Sequence, residues 1–302
     1  VENRKRRAFR GWLLYRVLLI IGGAARRLSL PRARAIGRAM GRLAWLIVRR
    51  ERNKALRNIG VAFPDWTDAQ RRKTIKAMFL HLGESLAEIL WMPNLDLPAR
   101  DRINIVTGMD DILRVIDEGH GVITFTAHCG NWEWLCYSMG MYGRPVSVLQ
   151  RERDEVEMNR FITELRARSG VRTIDRGSTA SAREMINVLR KGGMLAFVMD
   201  QNIRTESVKV PFFGVPALTP IGPARFAVRS KAHVSIALIE RRADGTQMLS
   251  FSEPIQCKPD DDPTALTARV TKAIEEQIRR APEQWVWFHD RWRERPKWDV
   301  TL

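Results

Sequence analysis

The chain has 302 residues, 45% of them hydrophobic and 28% charged, which excludes a disordered polymer, a collagen-like fibre and a polytopic membrane protein. Its three cysteines, Cys129, Cys136 and Cys257, offer neither a disulfide framework nor the repeated Cys/His spacing of a zinc site. The charge is lopsided: residues 1–60 carry 17 basic and 2 acidic side chains, whereas the rest carry 34 and 32. A nearly neutral body, residues 61–302, therefore follows a strongly basic arm, residues 1–60.

Within the arm, Phe9 to Ala25 reads FRGWLLYRVLLIIGGAA, bracketed by Arg4, Lys5, Arg6 and Arg7 before it and Arg26 and Arg27 after it. That stretch is short against the roughly 20 residues of a spanning helix, so it reads as a short span or a helix lying in the membrane interface. Ile36, Met40, Leu43, Ala44, Ile47 and Val48 then recur at helical spacing among Arg32, Arg34, Arg38, Arg42, Arg49 and Arg50. Anionic membrane lipid is the expected partner. Nucleic acid is not, because no helix-turn-helix or finger pattern accompanies the charge.

A helix is predicted to open at the Thr67-x-x-Gln70 capping box and to stop before Pro93. Strand-like runs follow at Ile103–Val106, Val122–Thr126, Val146–Leu149, Leu195–Met199, Val208–Phe212 and Val234–Glu240. Helical patterns alternate with them at Asp110–Glu118, Asn131–Met141, Val156–Ser169, Ala180–Lys191 and Pro220–Arg229, and Pro263–Arg280 forms a last helix. This alternation predicts an α/β fold with a central mixed or parallel sheet flanked by helices.

The sharpest chemical feature stands at the end of the Val122–Thr126 strand: His128-Cys129-Gly130-Asn131-Trp132-Glu133. The crevice beyond the carboxyl ends of strands is where open α/β sheets place ligands. On one continuous helix His128 and Glu133 would face about 140° apart, but Gly130 breaks that geometry and allows an imidazole–carboxylate pair. Such a pair is a base and its orienter. A histidine that merely caps the next helix would show the same letters. Cys129 as nucleophile is disfavoured, since neighbours at a strand end point to opposite sides.

His128-x4-Glu133 in the setting TAHCGNWEW resembles the HX4D/E signature of glycerolipid-type acyltransferases, in the version carried by lipid A biosynthesis acyltransferases and the related phosphatidylinositol mannoside acyltransferases. Three further blocks extend the resemblance over essentially the whole chain: VLQRERDEVEMN to LRARSGVRTIDR over residues 148–176, MDQNIRTESVKVPFFGVPALTPIGP over 199–223, and PEQWVWFHDRWRERP over 282–296. The family's functional arginine falls on Arg166, with Arg168 beside it, and the acidic residue of the third block falls on Asp200.

The resemblance implies transfer of a fatty acyl chain from acyl carrier protein or acyl-CoA to a hydroxyl of a lipid A precursor or related glycolipid, at the cytoplasmic face of a bacterial inner membrane. No bound cofactor or metal is implied, the acyl thioester being a co-substrate. His128 is then the general base, held by Glu133. Arg166, Arg168 or the backbone amides at Gly130 and Asn131 are the expected oxyanion or substrate donors, and Asp200 is an expected wall of the site. An acyl pocket lined by Phe212, Phe213 and Gly214 is one reading, an aromatic pair beside a glycine being more often plain core. Trp285, Trp287, Trp292 and Trp298 divide between core and a membrane-interface belt, and nothing in the sequence gives His289 a partner. Two alternatives stay open: a thioesterase or lipid hydrolase turning the same pair on water, and a membrane adaptor without catalysis.

Overall fold

The computed structural model describes residues 15–17, 19–150, 156–176 and 179–293. Residues 9–14 and 18 of the apolar stretch, and Trp298, lie outside them. Among the described residues no helix is long and apolar enough to cross a membrane.

An eight-stranded, mostly parallel sheet runs in the order β1-β9-β8-β2-β5-β3-β4, with β10 added against β8. The strands are β1 (Asn104–Thr107), β2 (Val122–Thr126), β3 (Val146–Gln150), β4 (Val171–Asp175), β5 (Met194–Val198), β8 (His233–Arg241), β9 (Gln247–Phe251) and β10 (Ile255–Gln256). β2, fully buried, pairs in parallel with both β5 and β8, as its unbroken apolar run requires of a strand covered on both faces. A separate hairpin joins β6 (Ser207–Phe212) to β7 (Val215–Pro220).

Two layers of helices cover the sheet. α1 (Leu30–Ile47) and α2 (Arg49–Ala62) precede α3 (Asp68–Trp91), whose amino terminus carries the Thr67/Gln70 capping box in full. α1 lies against α3 closely enough that a methyl on Gly37 or Gly41 would overlap main-chain atoms of α3, and one on Gly83 would overlap the Gly37 carbonyl oxygen. Ala55 and Ile59 of α2 are fully buried in the main core. The outer face of α1 leaves Ile36, Met40, Leu43, Leu46 and Ile47 exposed.

The remaining helices are α4 (Leu97–Ile103), α5 (Met109–Asp117), α6 (Trp132–Gly140), α7 (Val156–Ala167), α8 (Thr179–Arg190), α9 (Gly222–Ser230) and α10 (Pro263–Arg280). The expected strands and helices stand within two residues of their sequence positions. β4, β7, β9, β10 and α4 answer to no expected element. β4 and β9 offer only short alternations at the sheet's flank, with burial patterns that skip residues.

Candidate active site

The site forms at the carboxyl ends of three adjacent strands. Thr126 of β2 pairs with Val198 of β5, so the residues two positions further on, His128 and Asp200, emerge side by side. His128 Nδ1 lies 2.8 Å from Asp200 Oδ1, and the His128 backbone N–H donates to Oδ2 at 3.0 Å. Trp285 Nε1–H donates to the same Oδ2 at 2.7 Å. Burial pulls the Asp200 carboxyl up, but the His128 charge and these hydrogen bonds outweigh it and hold the carboxyl at about 2. A carboxylate on Nδ1 fixes the ring tautomer and directs Nε2 elsewhere. His128 lines a cavity of about 1000 Å³, large enough for a lipid chain with part of a headgroup.

The expected His128–Glu133 pair is not formed. Glu133, in the first turn of α6, instead accepts from Arg166 Nε at 2.9 Å and from Nη2 at 2.7 Å. Arg166 Nη1 donates to Gln150 Oε1 at the end of β3, at 2.8 Å. Burial disfavours the Arg166 charge, and Glu133 more than offsets this, raising its pKa. The physical reason is the turn: Gly130 adopts φ +57°, Asn131 caps α6 through Trp134 N–H, and Glu133 is carried toward α7 rather than back over the imidazole. A methyl on Gly130 would also overlap the Ile239 carbonyl oxygen, so the position needs glycine twice over.

The other expected donors do not line the cavity. The Gly130 N–H donates to the Gln284 carbonyl at 2.8 Å. Asn131, 1% exposed, turns its amide to Glu88 Oε2 at 2.8 Å and does not line the cavity. Arg168 is exposed and lies off the cavity, so of the two arginines only Arg166 belongs to it. Cys129 is buried, its thiol pushed well up by burial and by Asp200, which leaves it inert.

Phe212, Phe213 and Gly214 do not form the acyl pocket. They make the β6–β7 turn, where Phe213 and Gly214 both have positive φ as a tight type I′ hairpin requires. Phe212 packs edge-on against Trp285, and Phe213 packs against Phe63. The apolar wall of the cavity is built instead by Leu149, Met185, Phe197, Pro223 and Phe226. Trp285 and Trp287 are core residues. His289 does have a partner: its Nε2 lies 2.8 Å from the Asn202 N–H and 3.2 Å from the Asn202 carbonyl oxygen, and it lines the cavity with His128.

Beneath the loop lies a buried ionic network absent from the sequence reading. Glu88, fully buried, accepts from both Arg241 Nε and Nη2, and from Arg34 Nε at 2.7 Å, as well as from Asn131. Arg241 also reaches Glu84, Ser85 and His81. Burial, then Arg241, lowers His81 to about 3, so it is neutral there. Gln284 bonds the Arg241 main chain in both directions, tying the network to the Gly130 turn. The Glu88 and Arg241 contacts are charge-assisted, which is what makes buried charge tolerable, although Arg34 Nη2 stands buried without a partner at the network's edge.

His128 at a strand end, an apolar-walled cavity and the Glu133–Arg166 pair meet in one site. Residues 2–294 match the family described as bacterial lipid A biosynthesis acyltransferase, and the chain belongs to that family; it is an acyltransferase. It is 28% identical over 277 residues to the lipid A biosynthesis lauroyltransferase of Escherichia coli (strain K12), covering 90% of this chain and 88% of that protein. It is 29% identical to the lipid A biosynthesis palmitoleoyltransferase of the same strain, with 88% and 87% covered. The phosphatidylinositol mannoside acyltransferase of Mycobacterium tuberculosis (strain CDC 1551 / Oshkosh) is 25% identical, with 70% and 67% covered.

Proposed function

We propose that the protein transfers a fatty acyl chain from an acyl thioester, on acyl carrier protein or coenzyme A, to a hydroxyl of a lipid A precursor or related glycolipid. The observation that carries this reading is the His128–Asp200 pair opening onto the cavity. Asp200 holds Nδ1–H, and Nε2 takes the proton of the acceptor hydroxyl as its oxygen attacks the thioester carbonyl. The tetrahedral intermediate collapses, the C–S bond breaks, and the thiolate recovers the proton from His128. The products are an ester and a thiol. No acyl-enzyme forms, because the acceptor itself attacks.

Glu133 acts in this reading by holding Arg166 rather than His128. Arg166 uses three N–H groups on Glu133 and Gln150, leaving its others for a substrate oxygen at the cavity wall. The acyl chain lies along Leu149, Met185, Phe197 and Phe226. The protein meets the membrane through the exposed apolar face of α1, where Arg32, Arg42, Arg49 and Arg50 flank Ile36, Met40, Leu43 and Leu46. Basic residues beside an anionic leaflet contribute about 1 kcal/mol each.

The test is acyl transfer by the purified chain from a radiolabelled acyl carrier protein donor to a panel of glycolipids, with a no-acceptor control. Acceptor-dependent product that His128→Ala abolishes supports transfer. Free fatty acid formed equally without acceptor supports the hydrolase alternative instead.

A further inference from the structure

The mechanism names no donor for the thioester oxyanion beyond the two N–H groups that Arg166 keeps for a substrate oxygen. Gly130 N–H is engaged by Gln284 and three of Arg166's N–H groups are engaged by Glu133 and Gln150. We propose that His289 is a further catalytic residue whose Nδ1–H donates to the carbonyl oxygen of the acyl thioester and holds the negative charge that develops there. The assignment rests on the acyl-transfer reading above and specifies a group that the reading left empty.

The argument starts from the ring's tautomer. His289 Nε2 lies 2.8 Å from the Asn202 backbone N–H and 3.2 Å from the Asn202 carbonyl oxygen, and the shorter contact, with the N–H aimed at the ring nitrogen, makes Nε2 the acceptor. A nitrogen that accepts an N–H has no proton of its own, so the single proton of the neutral ring sits on Nδ1. Asn202 follows Asp200 by two residues, so the loop that holds the base also fixes the tautomer of the second histidine. Burial, the largest influence, lowers the His289 pKa and outweighs Asp200 and the Asn202 main chain, which raise it, while Arg291 and His128 lower it further. A neutral donor suits the position, because a second imidazolium beside His128 would oppose proton uptake by the base.

The ring is also preorganised. Asn58 Nδ2 donates to the His289 carbonyl at 2.7 Å and to the Trp287 carbonyl at 2.8 Å, and the Arg291 N–H donates to the His289 carbonyl at 2.8 Å. Both histidines line one cavity, and donors fixed in advance at a developing charge are what accelerate acyl transfer. In the step, the acceptor oxygen bonds to the carbonyl carbon and the carbonyl π pair moves onto oxygen, where Nδ1–H meets it. The acceptor proton goes to His128. On collapse the pair returns, the C–S bond breaks, and His128 protonates the thiolate. His289 keeps its own proton throughout.

Steady-state transfer by His289→Ala and His289→Gln beside wild type tests the role, with the fold of each checked by thermal melting. Removal of one oxyanion donor costs about 100-fold to 1000-fold in kcat; that loss is expected for His289→Ala, with donor and acceptor KM within threefold and the acid limb of the pH profile unmoved. His289→Gln accepts from Asn202 through Oε1 and donates through its amide, so activity should recover to within about tenfold of wild type. Histidine-selective 15N NMR on wild type should show the Nδ1–H tautomer at His289. Unchanged kcat in His289→Ala, a change confined to KM, a glutamine variant as inactive as alanine, or an Nε2–H tautomer would each overturn the assignment. Absence of His128-dependent transfer in wild type would overturn the acyl-transfer reading instead, and the 15N spectrum would still decide whether His289 presents Nδ1–H.

Discussion

His128 and Asp200 meet, 2.8 Å apart, because β2 and β5 are parallel neighbours in register and each residue follows the paired Thr126 and Val198 by two positions. The sheet itself sets the imidazole beside the carboxylate. Glu133, five residues after His128, is thereby free to clamp Arg166 against the wall of the same cavity. Two carboxylates thus hold two cationic or ionisable partners, which the proposed mechanism uses for proton transfer and for substrate.

The Glu133–Arg166 pair is buried on both sides, with 7% and 13% of each side chain exposed. Removing one partner leaves a buried charge uncompensated, which costs about 3–5 kcal/mol. Urea unfolding of Glu133→Ala, Arg166→Ala and the double variant should show strong non-additivity, the double variant being little worse than either single one. Additive losses would mean that the clamp contributes nothing as a pair.

Gly130→Ala should abolish transfer while leaving most of the fold in place. The new methyl meets the Ile239 carbonyl oxygen, and φ +57° strains any L side chain, for a cost of about 1–3 kcal/mol. Circular dichroism should report a native-like spectrum with a lowered melting temperature. Transfer at the wild-type rate would show that the turn does not position His128.

Stability should fall on mild acidification. His81 sits at about 3 in the fold because burial, then Arg241, opposes its charge, whereas an unfolded histidine titrates near 6.5. The unfolded chain therefore binds the extra proton first, and stability present above pH 6.5 is lost as pH falls toward 3, by up to about 1.4 kcal/mol per unit. Asp200, at about 2 in the fold, contributes stability lost only below about pH 4, so it does not change between pH 7.5 and 5.5. Urea midpoints for wild type and His81→Gln at pH 7.5 and 5.5 check this: the wild-type difference should shrink in the variant.

Much of this was legible in the sequence, and the failures have a common cause. β2 and α10 stand at the expected boundaries, since an unbroken apolar run and an Asp-Pro helix start are local signals. The Thr67 box was legible for the same reason. The partner of His128 was not, because Asp200 lies 72 residues away and only the strand order brings it near. Phe212, Phe213 and Gly214 read as a ligand turn but serve as a hairpin corner in the core. Glu84, Glu88 and Arg241 carry no local signal of their burial, which depends on α1, α3 and β8 converging.

The outer face of α1 should carry membrane binding. Leu43→Glu with Leu46→Glu places two charges on an exposed apolar stripe without touching the buried Gly37–Gly83 contact. Co-sedimentation with phosphatidylglycerol vesicles should drop at least tenfold, and wild-type binding should weaken with added salt. Undiminished binding would move the membrane contact off α1.

The most direct measurement compares kcat for transfer in wild type, Asp200→Asn and Glu133→Gln, with the same acyl carrier protein donor and glycolipid acceptor. Asparagine keeps the shape but gives His128 the wrong hydrogen-bond partner, so the account predicts a fall of about 10⁴-fold, with a smaller loss for Glu133→Gln because Arg166 keeps one acceptor. Full activity in Asp200→Asn alongside complete loss in Glu133→Gln would contradict it and return the orienting role to Glu133.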